Sequence, residues 1–157
     1  MTVVEFYLSL NQNLYISSHY GWRLTPVPGY HRGTDIAGVG EGFPTPVPSA
    51  SKIIISGYDP VGWGNYVRFQ QIGSNYSILI AHLQERLVET GQTVEAMTNI
   101  GGMGQTGFAT GVHWHIEVWT NDGSRVNPET WPLHGRRVSP FQIISYGKRN
   151  VLRRRNK

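Results

Sequence analysis

Apolar and polar positions alternate over short stretches of this chain, and nowhere do they sustain the 3.6-residue rhythm of an amphipathic helix. Lys52-Ile53-Ile54-Ile55-Ser56 predicts a buried strand. Asn65-Tyr66-Val67-Arg68-Phe69-Gln70 alternates, Gly73-Ser74-Asn75 turns the chain, and Tyr76 to Leu83 runs extended, which together predict a hairpin. Gly91-Gln92-Thr93-Val94 reads as a turn and then a strand, and Asn121-Asp122-Gly123-Ser124 as a further turn. Pro44-Thr45-Pro46-Val47-Pro48 confines the backbone to extended or turn conformations. The apolar lead before Asn11-Gln12-Asn13 predicts a short strand, Leu14 to Gly29 an irregular loop, and Gly101 to Gly111 a flexible glycine-rich loop feeding the segment that begins at His113.

Nineteen glycines, nine prolines and abundant aromatic residues suit many short strands joined by tight turns better than a helix bundle. The expected fold is therefore mainly β. At 157 residues the chain has room for one domain with a real core, expected over residues 1–147, followed by a basic tail at 148–157.

Charge sharpens that division. The net charge of +4 is concentrated at Lys148, Arg149, Arg153, Arg154, Arg155 and Lys157; the preceding residues carry eight basic against ten acidic side chains, a net of −2. The bulk of the chain is thus not a basic nucleic-acid binder, and no nucleic-acid partner is expected. No cysteine is present, so any metal must be held by nitrogen and oxygen. The N-terminus lacks the basic start and apolar stretch of a secretory signal, and no run approaches membrane-spanning length, so transmembrane insertion is not expected.

The chemistry concentrates in two places. In an extended His113-Trp114-His115-Ile116-Glu117-Val118, alternation puts His113, His115 and Glu117 on one face and Trp114, Ile116 and Val118 on the other. Far upstream stand His31 and Asp35, and His82 ends the predicted hairpin. Zinc without cysteine takes histidine nitrogens and a carboxylate oxygen, and a catalytic site keeps a fourth position for water. His31, Asp35 and one of the two strand histidines supply three such ligands. Amide hydrolysis also needs a proton acceptor and a donor for the developing oxyanion, roles open to His82 and the remaining strand histidine. Glu117 either orients a ligand or forms a surface salt bridge. Gly102-Met103-Gly104-Gln105-Thr106-Gly107 matches a dinucleotide-binding pattern, but a strand rather than a helix follows it, which removes the helix N-terminus that would hold a pyrophosphate. His19 and His134 fit neither cluster.

These residues resemble the lysostaphin/LytM-type zinc endopeptidases, which cut peptide bonds in bacterial peptidoglycan. The resemblance runs from about Ile16 to Trp131. It rests on Tyr20-Gly21-Trp22-Arg23, His31-x-Gly33-x-Asp35-Ile36-Ala37, Thr45-Pro46-Val47, Gly64-Asn65-Tyr66-Val67, Ala81-His82-Leu83, Gly91-Gln92-x-Val94, Thr106-Gly107-x-x-Thr110-Gly111-x-His113-x-His115-x-Glu117 and Val126-Asn127-Pro128. It implies one Zn²⁺ per chain on His31, Asp35 and His115, with His82 and His113 as catalytic histidines, in a groove walled by loops on antiparallel sheets. It further implies bacterial peptidoglycan peptides as partners and action at the cell wall. With no export signal visible, delivery by a phage, as a lysin or a virion-associated domain, is the expectation, an excised secreted domain the alternative. Val112, Trp114 and Ile80 depart from the usual proline, leucine and tyrosine, which bears on the bond chosen. Relatives that have lost metal ligands act as scaffolds or activators of other wall enzymes, and a wall-binding module without catalysis is a third reading; all five polar positions are kept here.

Overall fold

Alternation organises the architecture. The computed structural model describes residues 1–135; the basic tail lies outside them. In chain order the elements are α1 (Val3–Leu8), β1 (Tyr15–Ser18), β2 (Gly21–Arg23), β3 (Gly29–His31), β4 (Thr34–Ala37), β5 (Pro44–Pro46) and β6 (Ser51–Asp59). They continue with β7 (Gly64–Gln71), β8 (Tyr76–Leu83), β9 (Thr93–Val94), β10 (Asn99–Gly102), β11 (Trp114–Thr120) and β12 (Arg125–Val126).

One antiparallel sheet dominates, in the order β1-β4-β11-β8-β7-β6-β9, with β12 paired to the far end of β11. The expected β7–β8 hairpin is present with the predicted bounds of its second strand. Two small sheets, β5–β10 and β2–β3, stand off the main one. The mainly β expectation holds.

Three expectations need correction. The apolar lead forms a helix rather than a strand, because Thr2 and Glu5 make a capping box: the Thr2 hydroxyl accepts from the Glu5 amide at 3.2 Å and the Glu5 carboxylate from the Thr2 amide at 2.7 Å. The stretch 14–29 is not irregular throughout; it holds β1, and β2 pairs antiparallel with β3, with an edge-to-face Trp22–Tyr30 contact, ring centroids 5.6 Å apart, across the pair. The Ile53–Ile55 run is only partly buried, because a bulge between Ile53 and Ile55 turns the outer residue toward solvent.

The core lies on one face of the main sheet. Trp114, Ile116 and Val118 of β11 are fully buried there with Ile78, Ile80, Val67, Phe69 and Ile53. Helix α1 covers them, with Tyr7 edge-on to Trp114 at 5.3 Å and its hydroxyl donating to the Pro46 carbonyl at 3.2 Å. The Trp114 indole N–H donates to Thr45 at 2.7 Å, so this largest core residue buries no unpaired polar atom. The register of β11 is thereby fixed, and a one-residue slip would send His115 into the core.

Candidate active site

Register brings the polar residues together. His115 of β11 stands directly opposite Asp35 of β4, so both side chains project from the open face. His31 ends β3 and reaches the same point through the turn at Arg32-Gly33. Gly33 is required there: a Cβ at this position would lie 2.6 Å from Cε1 and 2.8 Å from Nε2 of the His115 ring.

The three donor atoms form a tight triangle. His115 Nδ1 is 2.8 Å from Asp35 Oδ1 and 3.1 Å from His31 Nε2, and His31 Nε2 is 3.3 Å from Asp35 Oδ1. A tetrahedral ion with bonds of about 2.0–2.1 Å has donor–donor edges of roughly 3.3 Å, so this set needs little movement to receive zinc. No other group of three or more histidine, aspartate or glutamate residues among the described residues meets this geometry.

The outer nitrogens decide the tautomers. His31 Nδ1 donates to the His19 carbonyl at 2.9 Å, leaving the Nε2 lone pair for a metal. His115 Nε2 donates to Glu117 Oε1 at 3.0 Å, leaving Nδ1 to face Asp35. His82 Nδ1 donates to the Thr106 carbonyl and His113 Nδ1 to the Gly111 carbonyl, each at 2.8 Å. All four imidazoles thus turn a bare or exchangeable nitrogen inward.

Electrostatics distinguishes them. Burial and the neighbouring histidines push the pKa of His82 down to about 4, so it is neutral at pH 7. Burial acts the same way on His115, but hydrogen bonds to Asp35 and Glu117 outweigh it and carry it up to about 9 in the metal-free protein. Burial alone would raise Asp35; the hydrogen bond from His115 and the closeness of the His31 ring hold it well below the usual carboxylate range. Arg23 approaches its second oxygen at 3.5 Å.

His82 and His113 flank the triangle with ring centroids 4.7 Å apart, and His113 Nε2 lies 3.8 Å from Asp35 Oδ1. His82 adopts a left-handed backbone, φ +61°, a conformation that costs energy in a non-glycine residue and recurs at functional sites. Its amide donates to the Trp63 carbonyl at 2.8 Å, which together with the Thr106 contact holds the strained geometry.

Glu117 orients His115 and also pairs with Arg125, but the expected surface salt bridge is a buried one, Glu117 being 3% exposed. Its second oxygen accepts from the Trp119 indole at 2.7 Å and from Arg125 Nε at 3.1 Å. Glu129, unremarkable in the sequence, accepts from the Tyr20 amide and the Thr34 hydroxyl and pairs with the His19 ring, fixing the segment whose carbonyl holds His31. Only its place one residue past Val126-Asn127-Pro128 could have drawn notice. His134 takes no part; its backbone bonds with Gln71 and Tyr76.

A groove of about 650 Å³ opens above the triangle, lined among others by Arg23, Val27, Val61, Trp63 and Phe108. The glycines expected to form flexible walls divide into two groups. Gly101, Gly102 and Gly104 serve close backbone packing against Glu85, Gly42 and Gln84, while Gly111 lines the groove.

Residues 29–128 match the family model described as Peptidase family M23. The chain belongs to peptidase family M23. Over 117 residues it is 41% identical to the peptidoglycan DD-endopeptidase ShyC of Vibrio cholerae, covering 71% of this chain and 25% of that protein. It is 31% identical over 96 residues to a glycyl-glycine endopeptidase of Staphylococcus capitis, covering 61% of this chain and 26% of that protein. A variant of the catalytic domain of EnpA, a prophage-encoded M23 protein from Enterococcus faecalis, superposes with a TM-score of 0.67 at 25% identity, covering 77% of this chain and 93% of that one. The lysostaphin/LytM resemblance therefore stands. This M23 chain spans about a quarter of the length of the curated relatives it matches.

Proposed function

We propose that this chain is a zinc-dependent endopeptidase that hydrolyses peptide bonds in the stem or cross-bridge peptides of bacterial peptidoglycan. The observation that carries this reading is the triangle of His31, Asp35 and His115 donor atoms, 2.8–3.3 Å on a side, with both imidazole tautomers set for a metal and two further histidines beside it. Similarity to a peptidoglycan DD-endopeptidase and a glycyl-glycine endopeptidase supports the substrate class.

Two nitrogens and one carboxylate oxygen suit a single Zn²⁺, which when bound polarises a carbonyl and acidifies a water. His82, neutral and presenting its Nε2 lone pair, is suited to take a proton from the attacking water and return it to the leaving amine. His113, its Nδ1 tied to Gly111, presents Nε2 on the same side; with a second proton on Nε2, as the imidazolium, it would donate to the developing oxyanion. Trp63 and Phe108 line the groove and would flank a peptide lying across it. All three residues proposed as ligands are present and grouped, which supports the catalytic reading over a scaffold reading. Action at the cell wall follows from the substrate. The narrower reading as a phage lysin draws on the likeness to prophage-encoded EnpA. Among the described residues no helix is long and apolar enough to cross a membrane.

The test is incubation with isolated peptidoglycan, with and without a zinc chelator, followed by mass spectrometry of released fragments. Chelator-sensitive new amino groups are expected and would name the bond. No release from walls of several chemotypes would move the reading to a binding or activating role.

A further inference from the structure

Beyond Glu117, the open face of β11 continues into a feature that zinc chemistry does not use. Trp119 follows His115 by four residues, about 13 Å along the strand. Its indole carries two guanidinium groups: Arg125, its register partner on β12, at 3.6 Å from the ring centroid, and Arg68 of β7 at 4.5 Å. Arg68, Leu79 and Glu117 are successive cross-strand partners, so Arg68 shares the open face. Trp63, which lines the groove, lies edge-on to Trp119 at 6.3 Å and joins this platform to the groove wall.

The charges do not balance. Glu117 is already committed to His115, Trp119 and Arg125. Arg68 donates through Nε to the Ser77 hydroxyl at 2.8 Å and meets no carboxylate within 4.0 Å among the described residues. Residues 136–157 contain no aspartate or glutamate that could serve it. Burial and the Arg125 charge push the Arg68 pKa down, and the Glu117 charge offsets them only in part. Two like charges are therefore held together beside a substrate groove, oriented by an aromatic plane, with one positive charge in excess. Stacking costs a guanidinium none of its edge donors, and the planar fork matches a carboxylate bidentately.

We infer that Arg68, Trp119 and Arg125 form a subsite for a carboxylate of the substrate peptide, three to four residues from the bond that is cut. The proposal rests on the peptidase reading for the identity of its ligand. An extended peptide rises about 3.3–3.6 Å per residue, so four residues span the distance from the triangle to Trp119. Arg68 supplies the fork, while Arg125 is shared with Glu117. The subsite would favour peptides whose acidic groups are free over the same peptides amidated.

The test uses muropeptides with free stem carboxyls and the same muropeptides amidated with carbodiimide and ammonia. Equilibrium affinities are measured by tryptophan fluorescence on zinc-loaded His113→Ala protein, with Arg68 or with Arg68→Gln. Free muropeptides should bind about tenfold more tightly than amidated ones, and Arg68→Gln should erase that ratio. Arg68→Lys should restore part of it, and thermal melts and zinc content confirm that each variant is folded and loaded. A ratio unchanged by Arg68→Gln, or equal affinity for both muropeptides in the parent protein, overturns the subsite. Carboxylate-dependent binding without cleavage by the unaltered protein would overturn the peptidase reading alone.

Discussion

The two faces of β11 obey different rules. On the inner face Trp114, Ile116 and Val118 are buried among aliphatic and aromatic neighbours, where only volume and shape matter. On the outer face His115, Glu117 and Trp119 are locked by named hydrogen bonds, and exchanging one atom matters more than volume. The same seven residues thus set the register through one face and the chemistry through the other. Stability and activity should be separable by substitution at adjacent positions.

The largest break is expected at His115. His115→Ala should lose both tight metal binding and turnover, while circular dichroism shows a folded chain; retained stoichiometric zinc by elemental analysis would refute the ligand assignment. His113→Ala should keep zinc and lose roughly 10²–10⁴-fold in kcat; near-normal turnover would mean that its role is misassigned. On the inner face, Ile116→Ala should cost about 2–5 kcal/mol in urea unfolding yet leave the kcat of the folded fraction intact. If turnover fell in step with His113→Ala, the two faces would not be independent.

Glu117→Gln sharpens the outer face. The amide can accept from His115 Nε2 through its oxygen, but it loses the charge and one acceptor for Trp119 and Arg125, so zinc affinity should weaken by about 10–100-fold in a chelator competition. The smallest effect is one of pH. His82 is depressed from 6.5 to about 4, so the unfolded metal-free chain binds the extra proton first, and its contribution to stability is complete above pH 6.5 and lost as the pH falls toward 4. His115, raised to about 9, works the other way over this range; on balance metal-free protein should show a lower urea midpoint at pH 5 than at pH 7, and His82→Asn should remove or reverse that difference.

Much of this was legible in the chain. Period-two alternation exposed the inner and outer faces of β11 and the β7–β8 hairpin, because a half-buried strand writes its environment into every second residue. The five polar site positions were visible as residues. Spacing alone could not separate His113 from His115, since the difference lies in which partner strand each faces: Asp35 opposes His115, while His113 bridges Gly104. Helix α1 was missed because a six-residue helix is too short to show a period, although Thr2-x-x-Glu5 carried the signal. Glu129 and the Arg68–Trp119–Arg125 stack were illegible because they depend on contacts across strands distant in sequence.

Three of the four inward-facing histidines are steered by main-chain oxygens, those of His19, Thr106 and Gly111. A peptide carbonyl is the same whatever side chain it bears. The segments around the groove can therefore exchange residues, and with them substrate preference, without retuning the imidazoles, provided the backbone path is kept. Redesign of the rim should tolerate substitution widely and tolerate insertions or deletions beside these three carbonyls poorly.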